Sequence, residues 1–259
     1  MKKTLAALLA AAAVFSCALS VLAFPPSGGT LYNGIDVSQW QGEIDFAQVS
    51  SSGVDIVYIR AGEGADFTDP YCLKNYEGAR SAGLKTGFYH YVTARTEEEA
   101  RSQAAYFASI IRGLEPDCRV AMDFEELDGL TPEEATSIAL AFLEETERLS
   151  QKQVMLYADA YDAKAYFEEP LTQYPLWVAD YGVQEPAENG RWESWAGFQY
   201  SASGSVPGVD GDVDLDYFTD AVFLPESLPP TGEISLYYSA RASRSLREAA
   251  ALLQRFCRR

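Results

Sequence analysis

The sequence predicts an α/β fold: a mainly parallel barrel of strands and helices in a single large domain. Three observations carry this. Short apolar runs alternate with amphipathic stretches from Asn33 to Leu224, the order expected of strand–helix–strand units with right-handed crossovers. Several of the runs are apolar on both faces, as strands covered by helices on one side and a filled interior on the other must be. The helical stretches are punctuated at both ends by capping residues. In order, strands are expected at 34–37, 55–60, 85–92, 119–124, 153–157, 176–179 and 197–200, and helices at 45–51, 71–82, 96–112, 132–150 and 162–168. The fourth helix has the clearest start, with Thr131 as N-cap, Pro132 at the first position and Glu133 and Glu134 in the first turn. Gly83 and Gly113 stand where helices should stop. The second half has shorter helices and more Gly and Trp, so an irregular, TIM-like (β/α) barrel fits better than an open sheet.

Composition sets limits on function. The chain of 259 residues carries 38 Asp and Glu against 20 Lys and Arg, a formal charge of −18. Such a surface argues against nucleic acid, whose phosphates want a basic partner. No Gly-rich phosphate loop follows a strand, which disfavours a nucleotide enzyme. With His90 the single histidine and no CxxC pair, neither a metal site nor a cofactor is expected. The first 23 residues read as a secretory signal, with Lys2 and Lys3, an apolar run from Leu5 to Val14 and a cleavage point after Ala23; an uncleaved membrane anchor is the less favoured reading. The divisions expected after it are a short lead at 24–32, the barrel at 33–224, a Pro-rich linker at 225–232 and a basic tail at 233–259. From Glu226 onward six arginines face three glutamates, and Leu246, Ala249, Ala250, Leu253 and Phe256 recur at helical spacing. Removing the signal takes Cys17 and leaves Cys72, Cys118 and Cys257, read as buried or incidental thiols.

In a parallel barrel, chemistry gathers at the C-terminal ends of the strands. Those ends carry Asp36, then Glu63 beyond Arg60, then Tyr89 and His90, then Asp123 and Glu125, then Trp177, Asp180 and Tyr181, then Gln199 and Tyr200; a late segment adds Asp212, Asp214 and Asp216. Asp123 and Glu125 are two apart on a predicted strand, so both point to the barrel mouth. Like charges that close raise one of the two pKa values, which is how a general acid keeps its proton near neutrality. Glycoside cleavage needs such a donor and a second group to stabilise charge at the anomeric carbon. Trp and Tyr rings suit the apolar faces of sugars. The combination points to a carbohydrate enzyme.

The same residues resemble the glycoside hydrolase family 25 lysozymes, the Chalaropsis-type or cellosyl-like muramidases. Gly34 to Gly42 reads GIDVSQWQG and is followed by Ile44, Asp45 and Phe46, like the family's G-I-D-V-S-x-x-Q-G-x-I-D-W. Ala82-Gly83-Leu84 and the GFYHY of 87–91 resemble A-G-L-x-x-G-x-Y-H-F. The MDFE of 122–125 and WVADY of 177–181 match L-D-x-E and W-x-A-x-Y. The FQY of 198–200, Gly204, Pro207, Gly208 and the VDLD of 213–216 resemble W-Q-Y…G…P-G…V-D-x-N. Departures are RAGEG at 60–64 for K-A-T-E-G, Phe198 for Trp and Asp216 for the last Asn. The resemblance implies a secreted or wall-associated monomer that cleaves the β-1,4 bond between N-acetylmuramic acid and N-acetylglucosamine in peptidoglycan, without an obligate protein partner. It implies Glu125 as general acid, Asp123 as the group orienting a reacting N-acetyl, and Asp36 and Asp214 as supporting carboxylates; Tyr89, His90, Glu63, Trp177, Asp180, Tyr181, Gln199 and Tyr200 are the expected substrate contacts. The competing readings are a non-catalytic glycan binder on the same barrel and a chitinase-like glycosidase.

Overall fold

The computed structural model describes residues 24–225. The expected signal sequence, nearly all of the linker, the basic tail and Cys257 lie outside them. Among the described residues, nine strands and five α-helices follow in the order β1 (Leu31–Val37), α1 (Phe46–Ser51), β2 (Ile56–Glu63), β3 (Phe67–Thr68), α2 (Cys72–Ser81), β4 (Lys85–Tyr91), α3 (Glu97–Ile110), β5 (Val120–Asp123), α4 (Pro132–Ser150), β6 (Val154–Asp159), α5 (Ala160–Ala165), β7 (Leu176–Ala179), β8 (Gly197–Gly204) and β9 (Val213–Thr219).

Eight of the strands close into a barrel in the order β1-β2-β4-β5-β6-β7-β8-β9. All neighbours from β1 to β8 run parallel; β9 is antiparallel to both β8 and β1 and closes the ring. Residues 213–216 are therefore part of a strand that the periodicity did not mark. The inward positions of β9 are Asp214, Asp216 and Phe218, while Val213, Leu215 and Tyr217 pack outward. Two aspartates in the strand's first four residues run against strand propensity, and pairing on both edges holds them in place. Two-residue β3 lies outside the ring, hairpinned onto the end of β2.

Helix ends follow the chemistry read from the sequence. Thr131 Oγ1 accepts from Glu134 N at 3.2 Å while Glu134 Oε2 accepts from Thr131 N at 2.8 Å, a reciprocal capping box. Thr96 and Asp45 cap α3 and α1 by side-chain acceptance of backbone N–H groups, without the reciprocal bond. Helix α5 begins two residues earlier than 162–168 because Asp159 Oδ1 takes the Tyr161 N–H at 2.7 Å. The lead also packs: Phe24 is buried, its carbonyl accepts from Trp195 Nε1 at 2.8 Å, and Ser27 N donates to Trp195 O at 2.7 Å. Cys72 and Cys118 are buried free thiols. Among the described residues no helix is long and apolar enough to cross a membrane.

Two apolar layers result. The larger lies between strands and helices; the smaller fills the barrel with Tyr58, Tyr157, Trp177, Phe218, Met155 and small residues. Tyr58, Trp177 and Phe218 meet with ring centroids 4.9–5.3 Å apart. They fit because neighbouring strands offer glycine. A Cβ on Gly197 would fall 2.6 Å from the Trp177 ring, and one on Gly87 would fall 2.3 Å from the Tyr58 ring. The Tyr58 hydroxyl is anchored on Arg119 O at 3.0 Å, so its ring has little freedom to retreat. Gly87→Ala is expected to destabilise the fold by about 1–3 kcal/mol, as overpacking does. Urea unfolding measures it; an unchanged midpoint would mean that the ring is not fixed as described.

Candidate active site

Aspartates at strand ends build the site. Asp36 is the penultimate residue of β1, directly opposite Asp214 on β9. Asp123 ends β5, and its carbonyl accepts from Val92 N at 2.7 Å. The chain then leaves the sheet and presents Glu125 to solvent. Arg95 fixes that departure, donating through Nη1 to Glu126 O at 2.6 Å and through Nη2 to Asp128 O. A cavity of about 180 Å³ opens between these groups, lined by Asp36, Tyr89, Asp123, Glu125, Tyr157, Trp177, Tyr181, Gln199 and Asp214.

Gln199 is the hub of the wall. Its Nε2 donates to Asp36 Oδ2 at 2.6 Å, and its Oε1 accepts from Tyr157 Oη at 2.8 Å and from Tyr181 Oη at 2.6 Å. Four strand ends are thereby tied to one amide. Below it, Trp177 Nε1 donates to Asp216 Oδ1 at 2.9 Å. Trp177 is thus a floor, almost fully buried, and not a free stacking platform.

The electrostatics follow from burial. Asp123 is raised well above the ordinary carboxylate range, first by desolvation and then by Glu125, whose carboxyl it hydrogen-bonds; buried Arg60 opposes the shift. Asp36 is raised by desolvation and by Asp214, against the Gln199 hydrogen bond. Asp216 is raised by desolvation and by Asp36. Asp214, more open, is pushed up to about 6, chiefly by burial. One deep acid beside one exposed acid is the pairing that acid catalysis of glycoside cleavage requires.

Four expected contacts are placed elsewhere. His90 follows Tyr89 on β4, so when Tyr89 faces the cavity His90 faces the helices. It is fully buried, stacked on Phe107 at 5.1 Å and Phe142 at 5.9 Å, with Nε2 2.8 Å from Gly64 O. The expectation of a cleft histidine is corrected: this is a core residue. Glu63 lies 4.0 Å from Arg60 and outside the cavity. Asp180 turns away to accept from Ala187 N at 2.9 Å. Tyr200 stacks on Tyr217 at 4.7 Å on the outward face. Sequence reasoning passed over Tyr157 and Arg95, and gave Asp216 no role beyond its place in the late acidic segment. Tyr157 ends an expected strand and was open to the strand-end argument, whereas the role of Arg95 rests on backbone carbonyls that no motif records. Among the described residues no group of three or more His, Cys, Asp or Glu is placed to hold a metal ion.

These shifts set how stability depends on pH. A carboxyl raised in the fold binds more proton folded than unfolded, so its contribution is present at low pH and lost as pH rises through the folded value. His90 is pushed down to about 4 by burial, so it erodes stability on the acid side, below its ordinary value of 6.5. From about pH 6.5 to 8 only the carboxyl effect remains, and the urea midpoint is expected to fall across that window. Asp123→Asn should shrink the fall; an equal fall in the variant would remove Asp123 from the cluster.

Comparison with known proteins accords with this geometry. The family model for glycosyl hydrolases family 25 matches residues 35–209. The autolytic lysozyme of Clostridium acetobutylicum is 39% identical over 193 residues, 74% of this chain and 57% of that relative, so the chain spans a little over half its length. Lysozyme M1 of Streptomyces globisporus is 32% identical over 74% of this chain and 69% of its own. Among solved structures, a bacterial lysozyme from Streptomyces coelicolor superposes with a TM-score of 0.65 at 30% identity, covering 75% of this chain and 94% of that one. The barrel, its acid-lined mouth and these likenesses together establish that the chain belongs to glycosyl hydrolase family 25.

Proposed function

We propose that the protein is a muramidase that hydrolyses the β-1,4 bond between N-acetylmuramic acid and N-acetylglucosamine in peptidoglycan, with net retention through the substrate's own N-acetyl group. The observation that carries this reading is the exposed Glu125 set beside the buried Asp123 at the mouth of the acid-lined cavity. Glu125 gives its proton to the glycosidic oxygen as the C1–O bond breaks. The acetamido carbonyl oxygen closes on C1, while Asp123 accepts from the acetamido N–H and offsets the positive charge that forms. Water then attacks C1, the bond from C1 to the acetamido oxygen breaks, and the proton released by the water passes to Glu125. Asp36 and Asp214 contribute negative potential on the opposite wall, and the Gln199–Tyr157–Tyr181 network holds that wall rigid. Such preorganised charge acts with most effect where water is excluded.

The lysozyme names of its relatives support peptidoglycan as substrate. The leader at 1–23 would deliver the enzyme to the wall, where it would act as a monomer without an obligate partner.

Glu125→Gln is expected to lower kcat by about 10²–10⁴-fold with little change in KM, because only the proton donor is lost. A variant that lyses cell walls as fast as the parent would overturn the assignment. Following the fresh reducing end by NMR should show the β-anomer first; the α-anomer would exclude participation by the N-acetyl group. Cleavage of chitin in preference to peptidoglycan would point to a chitinase-like enzyme instead.

A further inference from the structure

One buried acid is not used by the mechanism above. Asp216 lies one level below the cavity: in the β1–β9 register Asp36 faces Asp214 and Gly34 faces Asp216, so Asp36 and Asp214 share one level and Asp216 points into the barrel on the next. Asp216 Oδ1 is occupied by the Trp177 indole at 2.9 Å. Oδ2 is buried and finds no N–H or O–H donor among the described residues. What lies within hydrogen-bonding reach of the Asp216 carboxyl is the carboxyl of Asp36.

Two buried carboxylates in contact, with no cation between them, are not a stable arrangement. The groups acting on Asp216 are Asp36 from β1, Asp214 from its own strand, Tyr58 from β2, Tyr200 from β8 and Trp177 from β7, none of them cationic. The Gln199 amide donates to Asp36, and no donor among the described residues reaches Asp216 Oδ2. A proton shared by the two carboxyls removes the conflict. It belongs on Asp216, which is 1% exposed, while Asp36 is 6% exposed, touches the cavity and already accepts from Gln199 at 2.6 Å. Burial and the neighbouring Asp36 charge both favour the neutral form of Asp216.

We propose that Asp216 is a positioning residue: it stands as a neutral carboxylic acid, donates a hydrogen bond to Asp36, and so fixes the Asp36 carboxylate at the cavity wall while Trp177 braces it from below. The catalytic consequence rests on the glycosidase reading above; the state of the carboxyl does not.

Asp216→Asn and Asp216→Ala test this together. The amide keeps an acceptor for Trp177 and a donor for Asp36, so Asp216→Asn should keep kcat within about threefold of the parent, whereas Asp216→Ala should lose about ten- to a hundred-fold in kcat with KM nearly unchanged, as misplacement of a catalytic group does. Infrared difference spectra at neutral pH should show the carbonyl stretch of a buried, protonated carboxylic acid losing intensity in Asp216→Asn. Full activity in Asp216→Ala would overturn the positioning role, and a loss in Asp216→Asn as deep as in Asp216→Ala would mean that an ionised carboxylate is needed. An unchanged infrared band would overturn the neutral state. Should Asp216→Ala fail to fold, the asparagine variant and the infrared band still decide. Should the parent fail to cleave peptidoglycan, the function falls while the infrared result still judges the carboxyl pair.

Discussion

A single amide, Gln199, gathers Tyr157, Tyr181 and Asp36 into one wall. Remove it and three groups from β1, β6 and the segment after β7 lose a common partner, and Asp36 loses the hydrogen bond that offsets its burial. The site concentrates carboxyls that water would otherwise solvate, so each must be satisfied by a donor, a shared proton or a cation. Asp36 has Gln199 and Asp216; Asp123 has Glu125 and, more distantly, Arg60; Asp214 keeps partial contact with solvent. That division of environments sets a deep, buried acid beside an exposed one at the cavity mouth.

The barrel beneath exists to make this wall rigid. Its interior is filled by aromatic rings that pack against strand glycines, and Trp177 spans the two functions, filling the interior with its ring while its N–H reaches Asp216. A floor of tightly packed rings transmits strain instead of absorbing it. Repacking at Gly87 or Gly197 therefore acts on the site through the same contacts that hold the fold. Arg95 does for the β5–α4 loop what Gln199 does for the wall, securing by two carbonyl contacts the backbone that carries Glu125 out of the sheet.

Much of this was legible in the sequence, and the reasons differ from element to element. Helix α4 could be read in full because Thr131, Pro132 and Glu134 are local signals that act on the backbone beside them. Asp123 could be placed because strand alternation fixes its direction, whereas Glu125, expected on the same strand, lies beyond its end on a loop held by Arg95. The same alternation, applied one residue on, places His90 on the far side of its strand from Tyr89, and the aromatic run around it obscured that. Strand β9 was hidden because its inward face is acidic, the reverse of the pattern that marks a buried strand. Asp180 and Tyr200 stand at strand ends like true cleft residues, and only the loop contact to Ala187 and the outward stack on Tyr217 turn them away. Non-local partners of this kind leave no trace in spacing.

The central claim is that these carboxyls cut the glycan on one defined side of muramic acid. The most direct measurement is mass analysis of the soluble fragments released from purified peptidoglycan, after borohydride reduction of the new ends. Reduced N-acetylmuramic acid at those ends is the predicted result; reduced N-acetylglucosamine there would contradict it and make the enzyme a glucosaminidase.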